Sequence, residues 1–275
     1  MKLGIALRNM GPQSEPEVLF ACARAAEEAG LDDLWVADHL AIPPDDAEGS
    51  NGRYLDPLAT LATLSGVTRR IGLGTAVLNL PYRPALPTAK WVATIQELSG
   101  GRLRLGVGLG WMEPEFRALG VPRAERGRRA DQVLELLRRC FAGDEIVENG
   151  QPFLFRPRPP APPILVGGGP PHALARAVRF GDGWMPIGVD PGQLAGPIAE
   201  LARRAREAGR TPLEVVCMVP TRGDEPADET AAKLRALRDV GVTHAIAALG
   251  RYPDAGAYRR VAESLGGAVR ARLAQ

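Results

Sequence analysis

The feature that most constrains this chain is a repeated unit of short β-type run, turn and amphipathic helical stretch, recurring from one end to the other. The β-type runs are 3–7, 34–37, 71–78, 103–107, 163–167, 183–187, 213–219 and 243–247. Helical patterns occupy 15–29, 57–67, 84–98, 126–141, 172–180, 193–208, 229–240 and 255–273, several of them closed by glycine as helix ends often are. Eight such units match the rhythm and the roughly 250-residue size of an α/β fold of the (β/α)₈ TIM-barrel type. A doubly wound sheet shares the alternation and differs only in whether the sheet closes. The barrel reading takes residues 1–275 as a single domain. Only 142–162 breaks the rhythm, as a short hairpin followed by a proline-rich approach, and it reads as an insertion before the fifth strand.

Composition narrows the function classes. With 275 residues, 45% of them hydrophobic, the chain can bury a large core without disulfides or metals. Cys22, Cys140 and Cys217 are far apart and lack zinc-type spacing, so they read as reduced, buried thiols of a cytoplasmic protein. The net charge of +2, from 34 basic and 32 acidic side chains, gives no reason to expect nucleic acid as a partner. No apolar run approaches the roughly 20 residues needed to span a bilayer, so no membrane partner is expected. The chain lacks a nucleophile elbow, a His-Glu-x-x-His helix and a Walker loop, which leaves hydrolase and kinase readings without residues.

In a barrel, chemistry sits at the carboxyl edge of the strands. The second strand runs into Asp38 and His39 there. Histidine suits proton transfer near neutral pH and an adjacent carboxylate would orient its ring, although a strand-end cap and a satisfied loop histidine account for the pair as readily. The third strand ends in GTAVLNLP at 74–81, where Asn79 offers a donor and an acceptor; by pattern alone this is an ordinary buried strand. The fourth ends in GVGLGW at 106–111, whose glycines admit close ligand approach, while a dinucleotide fingerprint fails for want of its closing glycine and acidic partner. After the fifth strand come Gly167, Gly168 and Gly169, then a helix. Bare N–H groups beside a helix N-terminus make a phosphate site, the alternative being a tight turn with proline opening the helix. Trp184 reads as core. The arginines at 123, 126, 128, 129, 138 and 139 read as a solvated face, and Arg53 and Arg83 stand near the rim, either to meet an acidic cofactor tail or simply solvated, as exposed arginines usually are.

Three segments together, LDDLWVADHL at 31–40, the stretch 71–137 containing IGLGTAVLNLPYRP and GVGLGWMEPEF, and PPILVGGGPPHALARAVRFGDGWMPIG at 162–188, resemble the luciferase-like monooxygenase family across essentially the whole chain. The resemblance implies a (β/α)₈ barrel holding a flavin or deazaflavin at its carboxyl edge, with the phosphate on Gly167–Gly169. Its deazaflavin branch implies coenzyme F420 as cofactor, Asp38 and His39 beside the reacting ring, a non-prolyl cis peptide at Ala76–Val77 against the ring's far face, and Val107, Gly108 and Gly110 along its edge. The deazaflavin-dependent sugar-phosphate dehydrogenases carry a glutamate where this chain has Trp111, which argues against that particular activity; Glu113 lies close by. The expected function is hydride transfer between F420 and a small organic substrate, by a homodimer. The alternatives are an FMN-dependent two-component monooxygenase and a non-catalytic cofactor-binding protein.

Overall fold

The computed structural model describes residues 1–46 and 49–275. In chain order its elements are β1 (Lys2–Ala6), α1 (Pro16–Glu28), β2 (Asp33–Val36), α2 (Pro57–Val67), β3 (Gly72–Thr75), β4 (Leu78–Asn79), α3 (Ala85–Leu98), β5 (Leu103–Gly108), α4 (Glu113–Ala118), α5 (Arg126–Ala142), β6 (Glu145–Glu148), β7 (Gln151–Leu154) and β8 (Ile164–Gly167). They continue through α6 (His172–Phe180), β9 (Gly183–Met185), α7 (Pro191–Glu207), β10 (Glu214–Thr221), α8 (Ala227–Asp239), β11 (His244–Leu249), α9 (Ala255–Ser264) and α10 (Arg270–Leu273).

The sheet order β3-β2-β1-β11-β10-β9-β8-β5-β4, with β3 also paired to β5, closes on itself, and the pairings are parallel. The closed barrel, and not the open doubly wound sheet, is therefore the fold. The third stave is broken. β3 registers Leu73 with Leu103 and β4 registers Asn79 with Gly108, and the interruption between them contains the cis Ala76–Val77 bond. Because the stave bends there, a run that reads as one strand in the sequence is two in space.

Residues 145–154 form the expected antiparallel hairpin. Its two-residue turn places Asn149 at φ 51° and Gly150 at φ 76°, the paired left-handed conformation that an Asn-Gly turn supplies at least cost. The last helix differs from the single stretch expected over 255–273. It widens into a π-turn at Leu265–Val269, where Gly266 packs so close to Ala29 that a Cβ would sit 1.9 Å from its carbonyl oxygen. The chain end thus reaches α1 only because residue 266 has no side chain.

The larger core fills the space between the sheet and the surrounding helices, with Leu34, Leu61, Ala93, Leu105, Leu137, Ala177 and Cys217 among its buried members. A second, smaller cluster of Trp35, Leu165, Met185, Val216 and Ile246 plugs the barrel interior, with Ala6, Ala76 and Val77 packed above it. The three cysteines are buried and unbridged, and burial raises their thiols to about 11 for Cys22 and Cys140 and about 12 for Cys217. Among the described residues no helix is long and apolar enough to cross a membrane.

Candidate active site

A cleft of about 590 Å³ opens at the carboxyl edge of the barrel. Its floor is Ala76, Val77, Met185 and Val216, the upper surface of the interior cluster. Asn79, Gly108 and Gly110 form one side, and Gly167, Gly168 and Gly169 lead on to His172 and Arg176 of α6. The sequence-predicted residues Ala76, Val77, Asn79, Gly108, Gly110 and Gly167–Gly169 thus converge on one cavity. Val107 does not line it; its side chain is buried in the larger core beneath.

Local rules explain why this surface is bare. A Cβ on Gly108 would come within 2.4 Å of Val77 Cγ2, so β5 lies directly against the bent stave only because residue 108 is glycine. Gly168 adopts φ 128°, and the space around Gly169 is open. The turn is held from below. The buried Trp184 donates its indole N–H to the Gly168 carbonyl at 2.8 Å, so this tryptophan is core, as expected, and also the anchor of the glycine turn. Behind the turn, the amino end of α6 contributes its partial positive charge.

Among the described residues, two arginines reach the cleft. Arg176, on α6, pairs with Asp131 at 2.5 Å, and Arg126, at the start of α5, donates to the Arg123 carbonyl at 3.1 Å. The solvated-face reading holds for Arg128 and Arg129, which pair with Glu125, but not for Arg126. The rim arginines Arg53 and Arg83 are otherwise engaged. Arg53 bonds Ser14 and Glu15; Arg83 grips the buried Asp38 with both ends of its fork, at 2.6 and 2.8 Å, and Asp56 at 2.7 Å.

Asp38 therefore does not orient His39. Its carboxylate accepts from Arg83 and from the Asn79 backbone N–H, while the Asn79 side chain donates to the Asp38 carbonyl, so the pair ties the end of β2 to β4. Burial pushes the Asp38 carboxyl up against the pull of Arg83. The carboxylate that holds His39 is Glu115, from α4, at 2.9 Å from Nδ1. Glu115 is fully buried and also accepts from the N–H groups of Leu40 and Ala41 and from the Tyr82 hydroxyl. Burial raises its carboxyl, but the hydrogen bonds from His39, Ala41 and Leu40 and the charge of His39 outweigh that and hold it at about 2. In turn, burial and the neighbouring Glu115 push the Tyr82 hydroxyl up. His39 itself lies outside the cleft wall, edge-on to Trp111 with ring centroids 6.3 Å apart, and Trp111 lines the cavity.

Sequence reasoning passed over Glu115 and Arg176 and placed Arg126 on a solvated face. Glu115 was legible in principle, because Met112, Phe116 and Leu119 mark one helical face and position 115 falls on it, which is an unusual place for a carboxylate without a partner. Arg176 follows His172 by one helical turn and so shares its side of α6.

The chain matches the luciferase-like monooxygenase family over residues 1–273 and belongs to that family. It is 33% identical over 248 residues, 84% of this chain and 66% of the other, to the F420-dependent hydroxymycolic acid dehydrogenase of Mycobacterium tuberculosis. Its fold superposes on a monooxygenase, RslO1, from Streptomyces bottropensis with a TM-score of 0.82 at 22% identity, covering 97% of this chain and 98% of that one. A TM-score of 0.82 at 18% identity, with 98% and 99% coverage, is found against an F420-dependent secondary alcohol dehydrogenase in complex with an F420-acetone adduct. At those identities the two structures attest the shared fold.

Proposed function

We propose that this chain is an F420-dependent oxidoreductase that moves a hydride between the deazaflavin and a small organic substrate. The observation that carries the reading is the cleft itself: a flat apolar floor at Ala76 and Val77 ends in a bare glycine turn flanked by a helix N-terminus, Arg126 and Arg176. That arrangement fits a planar heterocycle with an anionic tail. The F420 dependence of the hydroxymycolic acid dehydrogenase, at 33% identity, supports the deazaflavin over FMN. A bound deazaflavin supplies two-electron hydride chemistry with little reactivity toward oxygen.

The chain's own residues supply the rest. Gly167–Gly169 and the start of α6 take the phosphate, and Gly108 and Gly110 leave room at the ring's edge. Glu115 fixes the His39 ring through Nδ1, so that Nε2 is left to hold or release a proton as substrate changes oxidation state. Asp38, through Arg83 and Asn79, holds the β2 and β4 ends on which this depends.

Side-by-side titration of the purified protein with F420 and FMN, by fluorescence and absorbance, tests the reading. Micromolar or tighter F420 binding with weak FMN binding is expected. A yellow FMN-bound protein with reductase-dependent oxygen uptake would replace it with the monooxygenase, and F420 binding without turnover over a broad substrate panel would leave a carrier. His39→Ala should retain F420 and lose about 10²–10⁴-fold in turnover. The homodimer and the cytoplasmic location belong to the same proposal; Trp91 and Leu98, exposed seven residues apart on α3, are consistent with a subunit contact that light scattering would detect.

A further inference from the structure

The cleft has two unlike walls. On the α5–α6 side stand the glycine turn, His172, Arg126 and Arg176. The rest of the lining rises from Met185 and Val216 of the floor through Pro186, Ile187 and Met218 as a second wall, and Trp111 also lines the cleft. Among the described residues this second wall carries no charged side chain. Met218 and Val216 project into the cleft because they are two apart on β10 and share its inner face.

The second wall is also conspicuously uncovered. Ile187 is 82% exposed and Trp111 58% exposed, and Met218 is exposed as well. Scattered single apolar side chains on a surface are ordinary, but three gathered at the mouth of one concave site mark a place where apolar ligand surface is buried. The cations cannot serve both walls. Arg176 is already paired with Asp131, and the proposed cofactor phosphate occupies the glycine turn beside them. A second anion would have to give up its water against Met185, Ile187 and Met218 with no partner in return.

We propose that the substrate of this cleft is an uncharged, largely apolar small molecule, seated against Trp111, Ile187 and Met218, and that carboxylates and phosphate esters of similar size are excluded. The inference rests on the proposed function in one respect: anions are excluded because the cofactor phosphate takes the glycine turn and its arginines, whereas the preference for apolar groups follows from the wall. Phosphosugars and acidic pterin-like compounds then fall outside the substrate range, and aliphatic or alicyclic alcohols and ketones fall within it.

Calorimetric titration of the protein, with and without F420, against secondary alkanols of increasing chain length and against alkanoates of the same length tests this. Each added methylene should tighten alkanol binding by about three- to fourfold, the factor expected for burying one such group. The matched alkanoates should bind at least tenfold more weakly. Ile187→Ser and Met218→Ser should each flatten the chain-length dependence while leaving the F420 affinity within twofold. Alkanoates binding as well as alkanols, or affinity independent of chain length, would overturn the inference. Loss of F420 binding with the alkanol series intact would instead remove the cofactor reading and leave the apolar wall standing.

Discussion

Each end of the barrel sets a histidine against a buried carboxylate, and the two pairs are set in different surroundings. At the amino end His244, the first residue of β11, places Nε2 2.8 Å from Asp33, which also accepts from the Trp35 indole at 2.5 Å. Arg104 lies 3.6 Å from the same carboxylate and pairs with Glu214, so the bottom of the barrel is closed by a cluster of paired side chains. His244 is wholly buried, and its Nδ1 has no partner among the described residues. At the carboxyl end, His39 is partly open at the rim beside Trp111, while its carboxylate, Glu115, is sealed. The same pair of groups closes the barrel where both members are buried and stands at the open rim where only the acid is.

The comparison breaks first at Asp33. Asp33→Ala strands His244, Trp35 and Arg104 in the interior and should lower stability by about 3–5 kcal/mol in urea unfolding, with ligand affinity of the remaining folded protein unchanged. A coupled loss of cleft affinity would mean the two ends are not separate.

Glu115 gives the next effect. Its carboxyl stands at about 2 in the fold against an ordinary 4.5, so its ionisation stabilises the protein fully above pH 4.5, and that stabilisation is lost as the pH falls toward 2. The contribution is about 3 kcal/mol. Denaturant midpoints measured across that window should fall steeply for the native sequence, and Glu115→Gln should show a lower but flatter profile. An unchanged acid limb would show that His39 does not depend on this charge.

Arg83→Lys replaces a two-pronged contact to Asp38 and Asp56 by a point charge that cannot span both, and should cost about 1–2 kcal/mol in thermal or chemical unfolding. Ile187→Ser should be the smallest, within about 0.5 kcal/mol of the native stability because the side chain is largely exposed. A larger loss there would mean that Ile187 is part of the packed rim and not an open ligand surface.

Much of the contrast between the two histidines is legible in the amino-acid sequence. The position of a residue along its strand tells which end of the barrel it occupies: His39 follows the end of β2 and His244 opens β11, so one is on the rim and the other on the floor. The partner is not legible in this way. Asp38 precedes His39 in the chain, yet β2 and the loop after it turn Asp38 toward Arg83, and the acid that reaches His39 comes from 76 residues away. Neighbours in sequence at a strand end point in different directions, and here the long-range partner comes from α4, the helix that follows β5. The broken third stave and the π-turn at Gly266 were hidden for a similar reason, since both exist to fit surfaces that only the closed barrel brings together.

By itself the sequence determined the βα alternation, most of the helices, a hairpin before the fifth strand, the rim glycines and the family, because each rests on local periodicity, turn chemistry or motif spacing. Only the tertiary structure decided that Glu115 holds His39, that Arg126 and Arg176 reach the cleft while Arg83 does not, and that one wall of that cleft is charged and the other apolar. Those outcomes depend on distances between side chains carried by different staves, and barrel closure sets those distances.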